Sequence, residues 1–206
     1  MIAILLAFVL AGPESDARVA EGLVRRLEER QGRAQDLTAR FTQSYRSGTL
    51  GREVVERGVL RLKRPGRMLW EYKDPEKKTF VSDGRSYYFY VPADKQVIVR
   101  DQDQEQGVAA LLLAAKGRVL DQFEAGLEPA PGEGLFRLRL TPKKADPELE
   151  RVLVDMDASG LVRAIEVQDA QGNRSVFRFD DVRENLGLSD RLFRFEVPPG
   201  VEVIRG

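Results

Sequence analysis

From Asp36 onward, apolar and polar residues alternate with a period of two, and turn-forming residues break the alternation at short intervals. Leu37, Ala39, Phe41 and Tyr45 alternate with Asp36, Thr38, Arg40, Thr42 and Ser44. Successive side chains on a strand point to opposite faces, so each such segment has one face to bury and one for water. The pattern continues over 54–63, 67–73, 78–82, 86–91 and 96–100. Pro65-Gly66, Asp74-Pro75, Asp83-Gly84 and Pro92-Ala93-Asp94 separate these runs, and each is turn chemistry. A second series covers 135–141, 150–156, 161–168, 175–182 and 201–204, with a single turn at 189–192 and loops at 129–134 and 142–147. The pattern predicts about ten short antiparallel strands joined as hairpins.

Such a sheet must curl and be covered. Two segments offer covers. Over 17–33, Ala20, Leu23, Val24 and Leu27 form one helical stripe, with Glu21, Arg25, Glu28 and Glu29 opposite. Ser15 or Asp16 can cap the start and Gly32 can end it. Residues 107–115 are rich in Ala and Leu and apolar nearly all round, which reads as a helix inserted between strands. Residues 118–123 read as a further helical turn. The expected fold is mainly β (α+β): a curled antiparallel sheet closed on one side by helices, able to enclose an apolar cavity.

Residues 2–10 are an unbroken apolar run, too short for a membrane-spanning helix, which needs roughly 20 residues. With Val9 and Ala11 before a cut, the run fits a secretory signal peptide over 1–17, although no Lys or Arg precedes it. The alternative is a buried N-terminal strand. The remaining 18–206 is expected to be one domain, exported to the periplasm and soluble.

Composition narrows the function. The 206 residues carry 33 Lys+Arg and 33 Asp+Glu, which gives no basic footprint for nucleic acid. Cysteine and histidine are both absent. Thiol nucleophiles, disulfides, Cys/His zinc sites and an N-terminal lipid on cysteine are therefore excluded, and the commonest general base is missing. No carboxylate pair reads as catalytic, and Asp180, Asp181 and Glu184 read as a solvated strand end. Neither a cofactor nor an enzymatic activity is expected. Asp155, Asp157, Ser159, Gly160 and Glu166 match the spacing of an EF-hand loop, but the flanking residues alternate like strands, so the segment reads as a hairpin turn with no metal.

The hairpin over 60–72 is the candidate site. Leu60, Leu62 and Arg64 share one face up to the Arg-Pro-Gly turn, and Met68, Trp70 and Tyr72 share a face beyond it. A multi-donor cation beside apolar and aromatic walls suits a cavity that takes up something greasy and gates it. On the residues alone, Arg64 can equally be a surface arginine beside a turn, and Phe41, Leu60, Leu62, Met68 and Trp70 ordinary core. Leu111, Leu112 and Leu113 can be a lid or a plain buried helix.

Phe41-Thr42-Gln43, Gly58, Lys63-Arg64-Pro65, Trp70, Pro75, Ser82-Asp83-Gly84, Tyr90, Pro92 and Gln96, with the closing Phe193-Arg194-Phe195-Glu196-Val197-Pro198-Pro199-Gly200-Val201, resemble the LolA family of periplasmic lipoprotein carriers. The resemblance covers most of the chain after the first segment. It implies a half-open β-barrel with a helical lid. It also implies a monomeric carrier that binds the acyl chains of lipoproteins released from the inner membrane and delivers them to the outer membrane. By resemblance, Arg64 latches the lid at Leu111, Leu112 and Leu113, and Phe41, Leu60, Leu62, Met68, Trp70 and Tyr72 line the acyl-chain cavity. The implied partners are acylated lipoproteins as cargo, an inner-membrane ABC transporter and an outer-membrane acceptor. A lipid or glycolipid carrier, or a lipid-sensing module of the same fold, stays open as an alternative.

Overall fold

The structure is a computed structural model and describes residues 13–101, 119–146 and 148–206. The helix α1 (Pro13–Arg33) leads into β1 (Asp36–Arg46), β2 (Glu53–Lys63), β3 (Arg67–Asp74), β4 (Lys78–Asp83), β5 (Ser86–Val91) and β6 (Gln96–Asp101). A short helical turn, Val119–Gln122, precedes β7 (Phe123–Glu128), β8 (Leu135–Pro142), β9 (Arg151–Asp157), β10 (Val162–Gln168) and β11 (Arg174–Glu184). A 3-10 turn, Asp190–Phe193, and β12 (Glu202–Arg205) follow.

Among the described residues these strands form one 12-stranded sheet in the order β12-β6-β5-β4-β3-β2-β1-β11-β10-β9-β8-β7. Two meanders, β1 to β6 and β7 to β11, meet where β1 pairs with β11. The two outer strands, β7 and β12, do not pair with each other, so the sheet stays open.

Register sorts the side chains into two faces. Phe41 lies opposite Gly58 on β2 and Phe179 on β11, while Leu60 lies opposite Trp70 and Leu62 opposite Met68. This face holds the main core, and α1 adds Ala20, Leu23, Val24 and Leu27 to it. The sheet curls around this core. Trp70 on β3 and Phe177 on β11 are three strand spacings apart, about 14 Å in a flat sheet, yet their ring centroids lie 5.4 Å apart. The outer face carries a second, smaller core in which Leu69 and Val81 pack under Phe193 of the C-terminal segment. Tyr88 stacks on Phe195 at 5.3 Å.

Several expectations need correction. Ser15 and Asp16 are already helical and so do not cap the start, while the helix ends at Arg33, the expected end, one residue beyond Gly32. The turn expected at 118–123 occupies Val119–Gln122, and Phe123 instead opens β7. That strand hid behind Ala125 and Gly126, which are weak strand formers. The sheet is not wholly antiparallel either, because β12 runs parallel to β6. Residues 1–12 of the expected signal peptide, and Leu111, Leu112 and Leu113 of the expected lid, lie outside the described residues.

Gly58 is the tightest point of the inner face. A Cβ there would sit 2.1 Å from the Glu71 carbonyl oxygen and 2.7 Å from Cε1 and Cζ of Phe41. Gly58→Ala is therefore expected to destabilise by about 1–3 kcal/mol, because neither a backbone oxygen nor a buried ring can move aside cheaply. Urea unfolding measures this. A loss below about 0.5 kcal/mol, as at an ordinary surface position, would show that Phe41 is not pinned there.

Candidate functional site

The turn between β2 and β3 brings Arg64 to one end of the inner face. Its backbone N–H donates to the Gln35 carbonyl at 2.9 Å, which ties the turn to the entry of β1. The side chain is half-buried and lines a pocket with Leu60 and Leu62, as their shared parity predicts. Leu27 of α1, Leu37 and Phe179 complete the apolar wall. Burial alone shifts the Arg64 guanidinium, downward from its usual range, with no neighbouring carboxylate contributing. The acids that line the same pocket, Asp36 and Glu184, are bonded to the Leu186 and Leu188 amides and to Arg30, which leaves the Arg64 guanidinium able to take a further hydrogen-bonding partner.

The pocket is small, about 50 Å³. That is room for a few waters, not for a long acyl chain. Phe41, Met68, Trp70 and Tyr72 are all buried in the same cluster as Leu60 and Leu62 but do not line this pocket. Phe41 meets both Trp70 and Tyr72 edge-on, each at 4.9 Å between centroids. The cluster ends in a polar chain: Tyr72 Oη donates to Gln43 Oε1 at 2.6 Å, and Gln43 Nε2 donates to Ser175 Oγ at 3.0 Å. Burial first, then the nearby Glu56 charge, push the Tyr72 phenol up, so it stays a neutral donor. The structure thus gathers Arg64, Phe41, Leu60, Leu62, Met68, Trp70 and Tyr72 into one interior.

The rim holds charges that sequence reasoning missed. Asp36 is only 4% exposed. Its two carboxylate oxygens accept the Leu186 and Leu188 backbone N–H groups at 2.7 and 2.8 Å. Burial works to raise its pKa, but backbone hydrogen bonds from Leu188, Leu186 and Gly187, helped by the Lys63 charge, outweigh it and hold the carboxyl below its usual range. Lys63 also bridges to Asp190 at 2.6 Å, and Arg67 reaches the same carboxylate at 3.5 Å. Arg30 of α1 forks onto Glu184, both contacts at 2.9 Å. These bonds fasten the helix end and the C-terminal segment around the pocket. An acid opening an alternating strand was the one legible signal for Asp36.

The acidic turn behaves as a hairpin. Asp157 accepts bonds from the Ser159 and Leu161 backbone N–H groups, Asp155 pairs with Arg137, and Glu166 pairs with Arg174. Among the described residues, no group of His, Cys, Asp or Glu is placed to hold a metal ion. Among them, too, no helix is long and apolar enough to cross a membrane.

Comparison with known proteins is consistent along the chain. The family model described as "Outer membrane lipoprotein carrier protein LolA" matches residues 32–196. The chain is 33% identical to the outer-membrane lipoprotein carrier protein of Azotobacter vinelandii, covering 98% of this chain and 97% of the relative. It is also 33% identical to the protein of the same name from Hahella chejuensis, over 82% and 81% of the two chains. Among solved structures, an uncharacterized conserved protein from Thermus thermophilus shares the fold. It has a TM-score of 0.58 at 14% identity, covering 91% of this chain and 99% of that one.

Asp36→Asn is expected to cost about 1–3 kcal/mol near neutral pH, since two buried N–H groups lose a charged acceptor. The sign with pH follows from the lowered pKa. The carboxylate's contribution is complete above the unfolded value, near pH 4, and is lost as pH falls through the folded value. The variant's stability curve should therefore be flatter than the wild type's below about pH 4. Urea midpoints measured across that range check it, and parallel curves would remove Asp36 from the account.

Proposed function

Because the chain belongs to the LolA family of outer membrane lipoprotein carrier proteins, we propose that it ferries lipoproteins through the periplasm. The curled sheet shields their acyl chains between release from the inner membrane and delivery to the outer membrane. The observation that carries this reading is the single apolar inner face, from Leu62 through Phe41 to Tyr72, with a half-buried cation at one end.

The physical problem of such a carrier is solvation. Each methylene kept from water contributes about 0.8 kcal/mol, so a lipid-modified chain does not leave a bilayer unaided. The pocket beside Arg64, about 50 Å³, is too small for a long acyl chain, so cargo has to part the apolar side chains. The edge-on contacts of Phe41 with Trp70 and Tyr72 are the ones an entering chain replaces. Apolar side chains then exchange one apolar neighbour for another, which keeps uptake and release close in free energy. Arg64 serves as the latch of the lid. A net hydrogen bond to a charged group contributes only about 1.5–3 kcal/mol, so a latch built this way opens readily. Energy for loading comes from an ABC transporter in the inner membrane, and an acceptor at the outer membrane receives the cargo. The carrier itself performs no bond chemistry and works as a monomer.

Mass spectrometry of protein purified from the periplasm of its host tests the proposal. Co-purifying acylated lipoproteins are the expected result; phospholipid or glycolipid alone would replace it with a lipid carrier. Arg64→Leu is expected to slow delivery more than uptake, by roughly tenfold, because the mouth of the pocket becomes apolar and holds the chain. Comparing loading from inner membranes with transfer to outer membranes separates the two steps, and normal transfer would remove Arg64 as the latch.

A further inference from the structure

The hairpin joining β1 to β2 ends in an apolar tip that the inner core does not use. Leu50 at its apex is 74% exposed, Val54 49% and Tyr45 40%. Tyr45 and Val54 face each other across the hairpin, on the same side of the sheet as Phe41, while Val55 is exposed on the other side. Leu50 is the most exposed large apolar side chain among the described residues, and Tyr45, Val54 and Val55 lie exposed beside it, so the tip is an apolar cluster rather than one stray leucine.

This tip is braced. The Ser47 N–H donates to the Arg52 carbonyl at 3.1 Å, and the Gly51 N–H to the Ser47 carbonyl at 3.0 Å. The Leu50 N–H donates to Ser47 Oγ at 3.2 Å. The neighbouring β10–β11 turn supports it from the side, with the Gly48 N–H bonded to Asn173 Oδ1 at 3.0 Å. That approach is so close that a Cβ at Gly48 would lie 2.5 Å from the Gln171 carbonyl oxygen. Leu50 is thus held out by a network of bonds.

Charge indicates what meets it. Arg46 and Arg52 flank the apex, both exposed, and neither forms an ion pair among the described residues. Glu53 lies opposite Arg46 and keeps its charge while accepting from the Ser44 hydroxyl, so the apex sets two arginines against one acid. Asp169 is bonded within its own turn to Gln171 and Asn173. Arg174, opposite Arg46 on β11, pairs with Glu166.

We propose that this hairpin tip docks on the surface of a bilayer containing anionic lipid, with Leu50 entering the acyl region, Arg46 and Arg52 on lipid phosphates, and Tyr45 and Val54, one pair further from the apex, at headgroup level. An apex of this kind suits a bilayer better than a protein partner. A stable protein interface buries about 800 Å² on each side, far more than a few side chains at one turn can supply. A bilayer needs only an apolar wedge with cations beside it, and an aromatic ring sits well at its boundary. Contact of this size is weak and reversible. The tip lies at the far end of β1 from Arg64, so docking leaves the pocket mouth free.

The test uses the whole cargo-free chain, so its failure leaves the carrier reading untouched, and cargo uptake is scored separately. The chain is floated with phosphatidylethanolamine vesicles containing phosphatidylglycerol, and with phosphatidylcholine vesicles as the neutral control. Binding to the anionic vesicles is expected, weakening with salt. Leu50→Asp should lose about tenfold in partitioning. Replacing Arg46 and Arg52 by Ser should lose about fivefold per charge on anionic vesicles only. Leu50→Trp gives a direct readout, because its emission should shift to the blue with vesicles while buried Trp70 contributes a constant background. Since Leu50 projects into solvent, circular dichroism of these variants should match the wild type. No flotation, no blue shift, or an undiminished Leu50→Asp each overturns the proposal. An effect of Leu50→Asp seen only in cargo exchange with transporter-bearing membranes also overturns it, and assigns the tip to a protein partner.

Discussion

Phe41 stands where the two meanders share a strand, with its ring under Gly58 and edge-on to Trp70 and Tyr72. From that point the sheet bends inward on both sides, and Trp70 comes within reach of Phe177 and Phe179 across the intervening strands. Everything else follows from this curl. It makes one face concave enough to be filled by its own side chains and one amphipathic helix, and leaves the other face to water except where the C-terminal segment covers it. A flat sheet of the same strands would expose its aromatic row, and no cover the size of α1 could bury it.

The same curl sets a conflict that the rim resolves. An interior built from apolar contacts has little directional preference, so it can be parted without leaving unpaired polar groups behind. That is a weakness in an ordinary domain and a requirement in a carrier. Directional bonds are accordingly placed at the edges. Asp36 grips two amides of the C-terminal segment, Lys63 and Arg67 share Asp190, and Arg30 forks onto Glu184. They hold the frame around an interior made of apolar contacts. At the opposite end, the Tyr72–Gln43–Ser175 chain closes the interior with neutral hydrogen bonds.

The C-terminal segment adds a second tie. Phe193 and Phe195 cover Leu69, Val81 and Tyr88 on the outer face, and β12 adds itself to the β6 edge. The strands that carry Met68, Trp70 and Tyr72 are therefore packed on both faces. Movement of the inner side chains can then occur against a backbone held from behind, and the hairpin tip at Leu50 lies outside both cores.

Much of this was legible in the chain before any coordinates. Period-two alternation located the strands, because a residue's face on a strand depends only on its parity. That is why Leu60 could be grouped with Leu62, and Met68 with Trp70 and Tyr72, while the register that brings Phe41 to them came from the pairing of the strands. The absence of Cys and His narrowed the chemistry by elimination. Alternation could not tell that β1 would pair with β11, over a hundred residues away, or that β12 would run parallel, because pairing partners are chosen by packing between distant segments. It passed over β7, whose Ala and Gly find their place only against the helix and β8. It also said nothing of Asp36, whose burial is tolerable only because the chain returns to give it two amides. Sequence by itself determined which face of each strand turns inward and what kind of surface that face presents. Tertiary structure alone decided how far the sheet curls and which charges meet at the rim, since those depend on side chains that touch only after the chain has closed on itself.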